Sequence, residues 1–367
     1  MESAKNKKAS KSSTLSVSSG INRPPSVNKE AFELASTKKK KLLPANAYIK
    51  GIKDQDLVLL SQAITIIESS KPSHQKLGQE IIEKCLPASG KSIRIGITGI
   101  PGVGKSTFIE ELGSQITSTG RKLAVLTIDP SSKRSGGSIL GDKTRMEKLS
   151  ANKSAFIRPS PSSGTLGGVA RKTRETITLC EAAGFDTIFI ETVGVGQSEI
   201  AVHSMVDFFL LLMLAGSGDE LQGIKRGIME MADAVVITKA DGDNLEKAAR
   251  AKQEFKNALH FFPPSESGWT PKVVTSSAVS NKGLTEVWDI ILEYIKLVQS
   301  NSWFDSNRKK QAIFWMHQTI EENLKSNFYL NSLIKDKTET MEQAVLNGEI
   351  GPFTAAYHLL DIFLNKK

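Results

Sequence analysis

With 367 residues, 39% of them hydrophobic and 24% charged, the chain can bury one large α/β domain with helical additions or two modest domains. The longest apolar stretch, Phe208 to Ala215, has the length of a buried strand and excludes a membrane span by its shortness. Two isolated cysteines, Cys85 and Cys180, exclude a disulfide framework and point to a reducing compartment, the cytoplasm or alternatively the mitochondrial matrix.

The net charge of +9 is not spread evenly: residues 1–45 hold ten Lys/Arg against three Glu, which leaves +2 for the other 322 residues. The folded body is therefore close to neutral, and neither a nucleic-acid interface nor a membrane surface is called for. The Ser/Lys-rich segment 1–45 is expected to be a disordered basic tail. Its single Arg and three Glu suit a mitochondrial presequence poorly, and no apolar run follows its lysines as a secretory signal requires.

From Asp54 to Leu86, apolar residues recur at helical spacing (Leu57, Leu60, Ala63, Ile64, Ile67, then Leu77, Ile81, Ile82), and Pro72 divides the run into two helices. From Ile93 the pattern becomes short apolar runs alternating with amphipathic stretches. Strands are expected at Ile93–Thr98, Leu123–Ile128, Phe156–Arg158, Phe185–Glu191, Asp207–Met213, Ala234–Thr238 and Lys272–Thr275. Helices are expected at Lys105–Thr119, Lys143–Ser150, Gly168–Ala183, Leu221–Met231, Leu245–Leu259 and Leu284–Val298. Such alternation predicts an α/β fold with a doubly wound, mainly parallel sheet. Beyond Ser300 only helices are expected, Arg308–Phe328 and Lys337–Leu346. The chain thus divides into the tail, N-terminal helices over 46–90, an α/β domain over 91–300 and a helical extension over 301–367.

Gly99-Ile100-Pro101-Gly102-Val103-Gly104-Lys105-Ser106-Thr107 satisfies every fixed position of the P-loop pattern and sits between an expected strand and an expected helix. Its glycines let backbone N–H groups turn inward around phosphate oxygens, and the helix N-terminus favours negative charge. Lys105 is placed to reach the β- and γ-phosphates, and Ser106 to ligate Mg²⁺. Acids at the C-terminal ends of parallel strands lie on the ligand side of such a sheet. Asp129 and Glu191 are such acids, and Asp142 lies in a Gly/Ser-rich loop; a single strand-terminal acid is often only a helix cap, but two beside one P-loop favour the metal reading. Glu191-Thr192-Val193-Gly194 has the form of a γ-phosphate switch, with the Gly194 amide on the terminal phosphate.

Thr238-Lys239-Ala240-Asp241 follows the strand Ala234–Ile237 directly. A carboxylate there accepts two hydrogen bonds from the N1–H and exocyclic amine of guanine, a pair adenine does not offer. The Lys239 stem can cover the base, and the backbone of Ser277-Ala278-Val279 can meet the guanine oxygen. The first residue of this motif is usually Asn, and here it is Thr238. These features predict a GTPase.

The stretches IDPSSKRSGGSILGDKTRM (128–146), IRPSPSSGTLGGVARKTRET (157–176), ETVGVGQSE (191–199) and GDELQGIKRGI (218–228) resemble the MeaB/ArgK family of P-loop GTPases, which includes the methylmalonic aciduria type A protein. The resemblance implies a GTPase chaperone that gates adenosylcobalamin delivery to a cobalamin-dependent acyl-CoA mutase, typically methylmalonyl-CoA mutase, and protects it. It also implies a homodimer built through C-terminal helices. It places Lys105 and Ser106 as the P-loop pair, Asp129, Asp142 and Glu191 as metal and switch acids, and Asp241 as guanine reader. Gly218 to Lys225 fits a partner-responsive loop in which Lys225 assists hydrolysis.

Two other functions use a similar nucleotide fold. A nucleotide-dependent kinase linked to amino-acid transport, behind the older ArgK naming, needs a dedicated base for its acceptor hydroxyl, and none stands out. A metal-insertion GTPase usually carries His- or Cys-rich tracts, whereas the five histidines here are dispersed. Arg158, Arg171 and Arg174 read as solvated or salt-bridged, and His203 as packed or on the surface.

Overall fold

The computed structural model describes residues 42–128, 146–159, 166–192, 198–216 and 226–365. Three helices come first: α1 (Ala45–Lys53), α2 (Leu57–Glu68) and α3 (Pro72–Cys85). Asp56 caps α2, its carboxylate accepting the Val58 and Leu59 amides at 2.8 and 3.1 Å. Pro72 occupies the first turn of α3, where a missing N–H costs nothing, so the break expected there is present.

The strands are β1 (Ile93–Gly99), β2 (Leu123–Ile128), β3 (Ala155–Pro159), β4 (Thr187–Thr192), β5 (Phe208–Leu214), β6 (Ala234–Thr238) and β7 (Lys272–Thr275). They form one sheet in the order β3-β2-β4-β1-β5-β6-β7, and every ladder between neighbours is parallel. Between them run α4 (Lys105–Ser118), α5 (Glu147–Ala151), α6 (Leu166–Ala182), α7 (Ser198–His203), α8 (Arg226–Glu230), α9 (Leu245–Leu259) and α10 (Leu284–Ser300). The extension consists of α11 (Trp303–Leu330), α12 (Ser332–Leu346) and α13 (Pro352–Leu364).

Helices cover both faces of the sheet. On one face, Ile95, Ile97, Phe189 and Leu210 pack with Phe108 and Leu112 of α4 and Ile291 of α10. On the other, Ile188, Ile190 and Phe209 pack with Ile64 of α2, Ile177 and Cys180 of α6 and Trp315 of α11. Further along that face, α9 lays Phe255 against Val235 and Ile237. Covering on both faces is why β5 reads as an unbroken apolar run and not as an alternation.

The strand starts share a device. Asp186, Asp207 and Asp233 each immediately precede a strand and accept a backbone N–H at the start of the neighbouring one. Asp186 takes Lys122, Asp207 takes Arg94 and Asp233 takes Phe209, at 3.0, 2.8 and 2.8 Å. The extension is fastened at this same edge. Arg308 forks onto the Asp207 carboxylate at 2.7 and 2.6 Å and donates to the Gly90 and Ser92 carbonyls at 2.6 and 2.7 Å. Three and seven residues along the same helix face, Gln311 donates to the Val206 carbonyl at 2.8 Å and the Trp315 indole to Ser204 at 3.0 Å.

The expected elements differ from the structure mainly at short helices. Helix α5 occupies Glu147–Ala151 and α8 occupies Arg226–Glu230; residues 143–145 and 221–225 of those expectations lie outside the described residues. Helices α1, α7 and α13 were not foreseen as separate elements. The tail over 1–41 also lies outside the described residues. Among the described residues, no helix is long and apolar enough to cross a membrane.

Candidate nucleotide-binding site

Strand β1 has neighbours on both sides that come later in the chain, β4 and β5, so its C-terminal end opens at the point where the strand order reverses. The phosphate loop leaves there. Gly99 runs so close to β5 that a methyl group on it would meet the Leu212 carbonyl. Gly104, with φ of 91°, turns the chain into α4 through a left-handed conformation that glycine adopts freely. Lys105 folds back into the loop, its Nζ donating to the Gly99 and Ile100 carbonyls at 2.8 and 3.3 Å. Burial pulls its pKa down, opposed by the nearby Glu191 and Glu199 carboxylates. The ammonium is thus held where the loop's amides would surround an anion.

Glu191, 3% exposed at the end of β4, brings Oε1 to 3.5 Å from the Ser106 hydroxyl. These two oxygen donors beside the loop fit Mg²⁺, which takes one or two protein oxygens together with water and phosphate. Of the other acids, Asp129 and Asp142 lie outside the described residues, as do Gly194 and Lys225. Among the described residues, no cluster of three or more His, Cys, Asp or Glu is arranged to hold a metal.

A cavity of about 200 Å³ adjoins the loop, lined by Gly104 and Thr107 on one side and by Lys239, Asp241, Ala278 and Val279 on the other. Its second wall comes from the C-terminal ends of β6 and β7. Ala240 N–H donates to the Ser276 carbonyl at 3.0 Å and Ser276 N–H to Ile237 at 2.8 Å, locking the two strand ends together. Ser277 donates its hydroxyl to Asp241 Oδ2 and accepts the Ser280 amide at 3.1 Å, which holds the carboxylate in one orientation. Lys239, at φ of 55°, stretches across to donate Nζ to the Gly102 carbonyl at 2.9 Å. Its aliphatic stem therefore bridges the phosphate loop and the Asp241 side of the cavity.

Thr238, at the position usually held by Asn, places its hydroxyl 2.8 Å from the Val103 carbonyl and 3.2 Å from Met213. A hydroxyl hydrogen can serve one acceptor at a time, and the Val103 contact ties β6 to the phosphate loop across β5. The departure from Asn therefore keeps a donor at the position.

The other residues singled out in the sequence lie apart from this cluster. Arg158 is salt-bridged to Glu68 of α2, with Thr65 at 3.2 Å, and Lys172 donates to the Glu68 carbonyl, so this group fastens the N-terminal helices to β3 and α6. Arg171 lies 4.0 Å from Glu175 one helical turn away, and Arg174 sits over the Trp315 ring at 5.8 Å. His203 meets Phe209 edge to face. Three residues of the site were not anticipated. Glu199 contributes charge beside Lys105 from the far side of the 193–197 segment. Thr98 and Thr192 join hydroxyls at 2.9 Å between β1 and β4. Thr192 and Glu199 stand within the ETVGVGQSE stretch, but their approach to Thr98 and Lys105 depends on how β1, β4 and α7 are placed, which no local pattern gives.

Residues 60–332 match the family described as methylmalonyl-CoA mutase-associated GTPase MeaB. A Mycobacterium tuberculosis relative with GTPase in its name is 48% identical over 85% of this chain and 93% of its own length. The mitochondrial methylmalonic aciduria type A homolog of Mus musculus is 47% identical over 84% of this chain and 76% of its own. A crystal structure described as an LAO/AO transport system kinase superposes with a TM-score of 0.71 at 34% identity, covering 89% of this chain and 100% of that one. With a parallel sheet, a phosphate loop at its switch point and these relatives, the chain belongs to the MeaB family and is a P-loop GTPase.

Proposed function

We propose that this GTPase acts as a chaperone: GTP binding and hydrolysis gate adenosylcobalamin delivery to a cobalamin-dependent acyl-CoA mutase, methylmalonyl-CoA mutase foremost, and protect that enzyme. The observation carrying the reading is the match over 60–332 to a family described by its association with that mutase. The mouse relative's name points the same way.

In this reading the loop Gly99–Thr107 holds the phosphates, with Lys105 on the β- and γ-oxygens. Asp241 reads guanine, Lys239 covers the base, and Ser277, Ala278 and Val279 present backbone to the guanine oxygen. The Asp241–Ser277 contact and the cavity beside Gly104 support those assignments. Mg²⁺ would be held by Ser106 and Glu191 with Asp129 and Asp142, and when bound it neutralises charge on the transferred phosphate. Glu191 and Lys225 serve hydrolysis, and Gly194 releases the switch once the terminal phosphate is lost.

The helical extension, 301–367, is the dimerisation element. Helices α11–α13 frame an apolar groove of about 870 Å³, and beside it Phe353 is 81% and Leu346 77% exposed. Apolar surface of that extent fits burial against a second copy. Two buried, unpaired cysteines suit a reducing compartment, the cytoplasm first. The test is complex formation: the GTP-loaded full chain should co-elute with a purified cobalamin-dependent mutase and separate from it after hydrolysis. No complex with any nucleotide would overturn the chaperone role.

A further inference from the structure

The β1–β4 ladder stops one residue short of the phosphate loop. Its last paired residues are Ile97 and Glu191. Beyond that level Thr98 stays in register with Leu211 of β5, and Thr192 with Ile128 of β2, but the two threonines share no ladder pairing with each other. Their hydroxyls meet instead, at 2.9 Å, with Thr98 2% and Thr192 0% exposed. Each threonine adjoins a working segment. Thr98 immediately precedes Gly99 of the phosphate loop, and Thr192 immediately follows Glu191.

Side chains alternate across a strand. Thr98 and Thr192 therefore lie on the face that carries Ile188 and Ile190, while Glu191 lies on the face of Phe189 and α4, where it approaches Ser106 at 3.5 Å. The hydroxyl pair thus spans the interval over which main-chain pairing has given out, directly behind the carboxylate. We propose that Thr98 and Thr192 are positioning residues for GTP hydrolysis, a side-chain clasp that sets the separation of Glu191 from the phosphate loop and Ser106. The inference rests on the reading of Glu191 as a hydrolytic acid. A displacement well below 1 Å matters here, because misplacing a reacting group by about 1 Å can cost on the order of a hundredfold in rate.

The clasp differs from a merely space-filling pair in what a double substitution does. Removing one hydroxyl leaves the other buried without its partner and lowers stability. Replacing both with groups of the same shape removes that penalty, but it does not restore the clasp. The experiment compares T98V, T192V, the double variant T98V/T192V, T192S and E191Q in the full chain. It measures GTP turnover, affinity for a fluorescent GTP analogue, and thermal unfolding.

The expected result is turnover lowered about tenfold in T98V, T192V and the double variant, with analogue affinity changed less than about threefold. The double variant should melt above either single yet remain as slow. T192S, which keeps the hydroxyl, should hydrolyse GTP within about threefold of the parent. Wild-type turnover in the double variant would overturn the clasp, as would parallel loss of affinity and turnover in every variant including T192S. E191Q separates the role of Glu191 from that of the threonine pair. If E191Q turns over normally, the assignment of Glu191 fails; if E191Q is slow while T98V/T192V is normal, the clasp alone fails.

Discussion

Asp241→Asn is the most informative single change at the base side of the cavity. The carboxylate is oriented by the Ser277 hydroxyl and stands across the cavity from Gly104 and Thr107. Guanine offers it two donors, N1–H and the exocyclic amine. An Asn amide keeps one acceptor oxygen, which can go on pairing with Ser277, but turns its NH₂ toward a donor. A hydrogen bond to a charged group contributes about 1.5–3 kcal/mol, so losing both costs about 3–6 kcal/mol, or on the order of 10²- to 10⁴-fold in GTP affinity. Xanthine carries a carbonyl in place of the amine and accepts from the new NH₂, so affinity for its triphosphate should rise as that for GTP falls. Titration calorimetry of the parent and the variant with GTP and xanthosine triphosphate reads the exchange directly. GTP affinity within about threefold of the parent would refute Asp241 as the base reader, whatever the hydrolysis rate.

Three further outcomes follow from the structure. Burial pushes the Asp233 carboxyl up to about 7 from 3.8, against the opposing Phe209 amide. The folded state then holds a proton the unfolded chain has released, so stability falls as pH rises from about 4 to about 7 and levels off above; in Asp233→Asn, urea unfolding at pH 5 and pH 8 should lose a pH-dependent difference of up to about 2.7 kcal/mol. Arg308→Met leaves the Asp207 carboxylate, 3% exposed, without its fork, which should cost about 3–5 kcal/mol by denaturant unfolding and loosen α11 in hydrogen exchange. Phe353→Glu, at a site 81% exposed on α13, should leave the monomer's melting behaviour intact but shift light-scattering mass from dimer to monomer; an unchanged mass would remove α13 from the interface.

Much of the sheet was legible because each strand is a mostly apolar run, β-branched in most cases and Phe/Leu-rich in β5, with a hard stop. Leu123–Ile128, Ala234–Thr238 and Lys272–Thr275 match the structure residue for residue, and the others shift by one or two at their ends. Helix α13 was not legible: it follows the Asn347–Gly351 break, and apolar residues on its exposed side (Phe353, Tyr357, Leu364) as well as its inner one blur the 3.6-residue period. Helix α7 spans only Ser198–His203, too short for a helical period to show. The phosphate loop and the Asp241 segment are contiguous motifs, so they could be read locally. The tie from Thr238 to Val103 and the Thr98–Thr192 pair join residues 135 and 94 positions apart. They exist because β1 lies between β4 and β5 and β6 follows β5, an order that no local periodicity encodes. Arg158 illustrates the converse: its plain reading as a salt-bridged side chain is what the Glu68 pair displays.

The proposed role is a GTPase cycle that serves a cobalamin-dependent mutase. The most direct test is GTP turnover by the full chain alone and with purified methylmalonyl-CoA mutase, under saturating Mg²⁺. Slow turnover alone and a rise of at least about tenfold with the mutase are expected, with the rise lost in Lys105→Ala. Turnover unchanged by the mutase at every ratio tested, or label passing from GTP to a protein acceptor instead of to water, would contradict it.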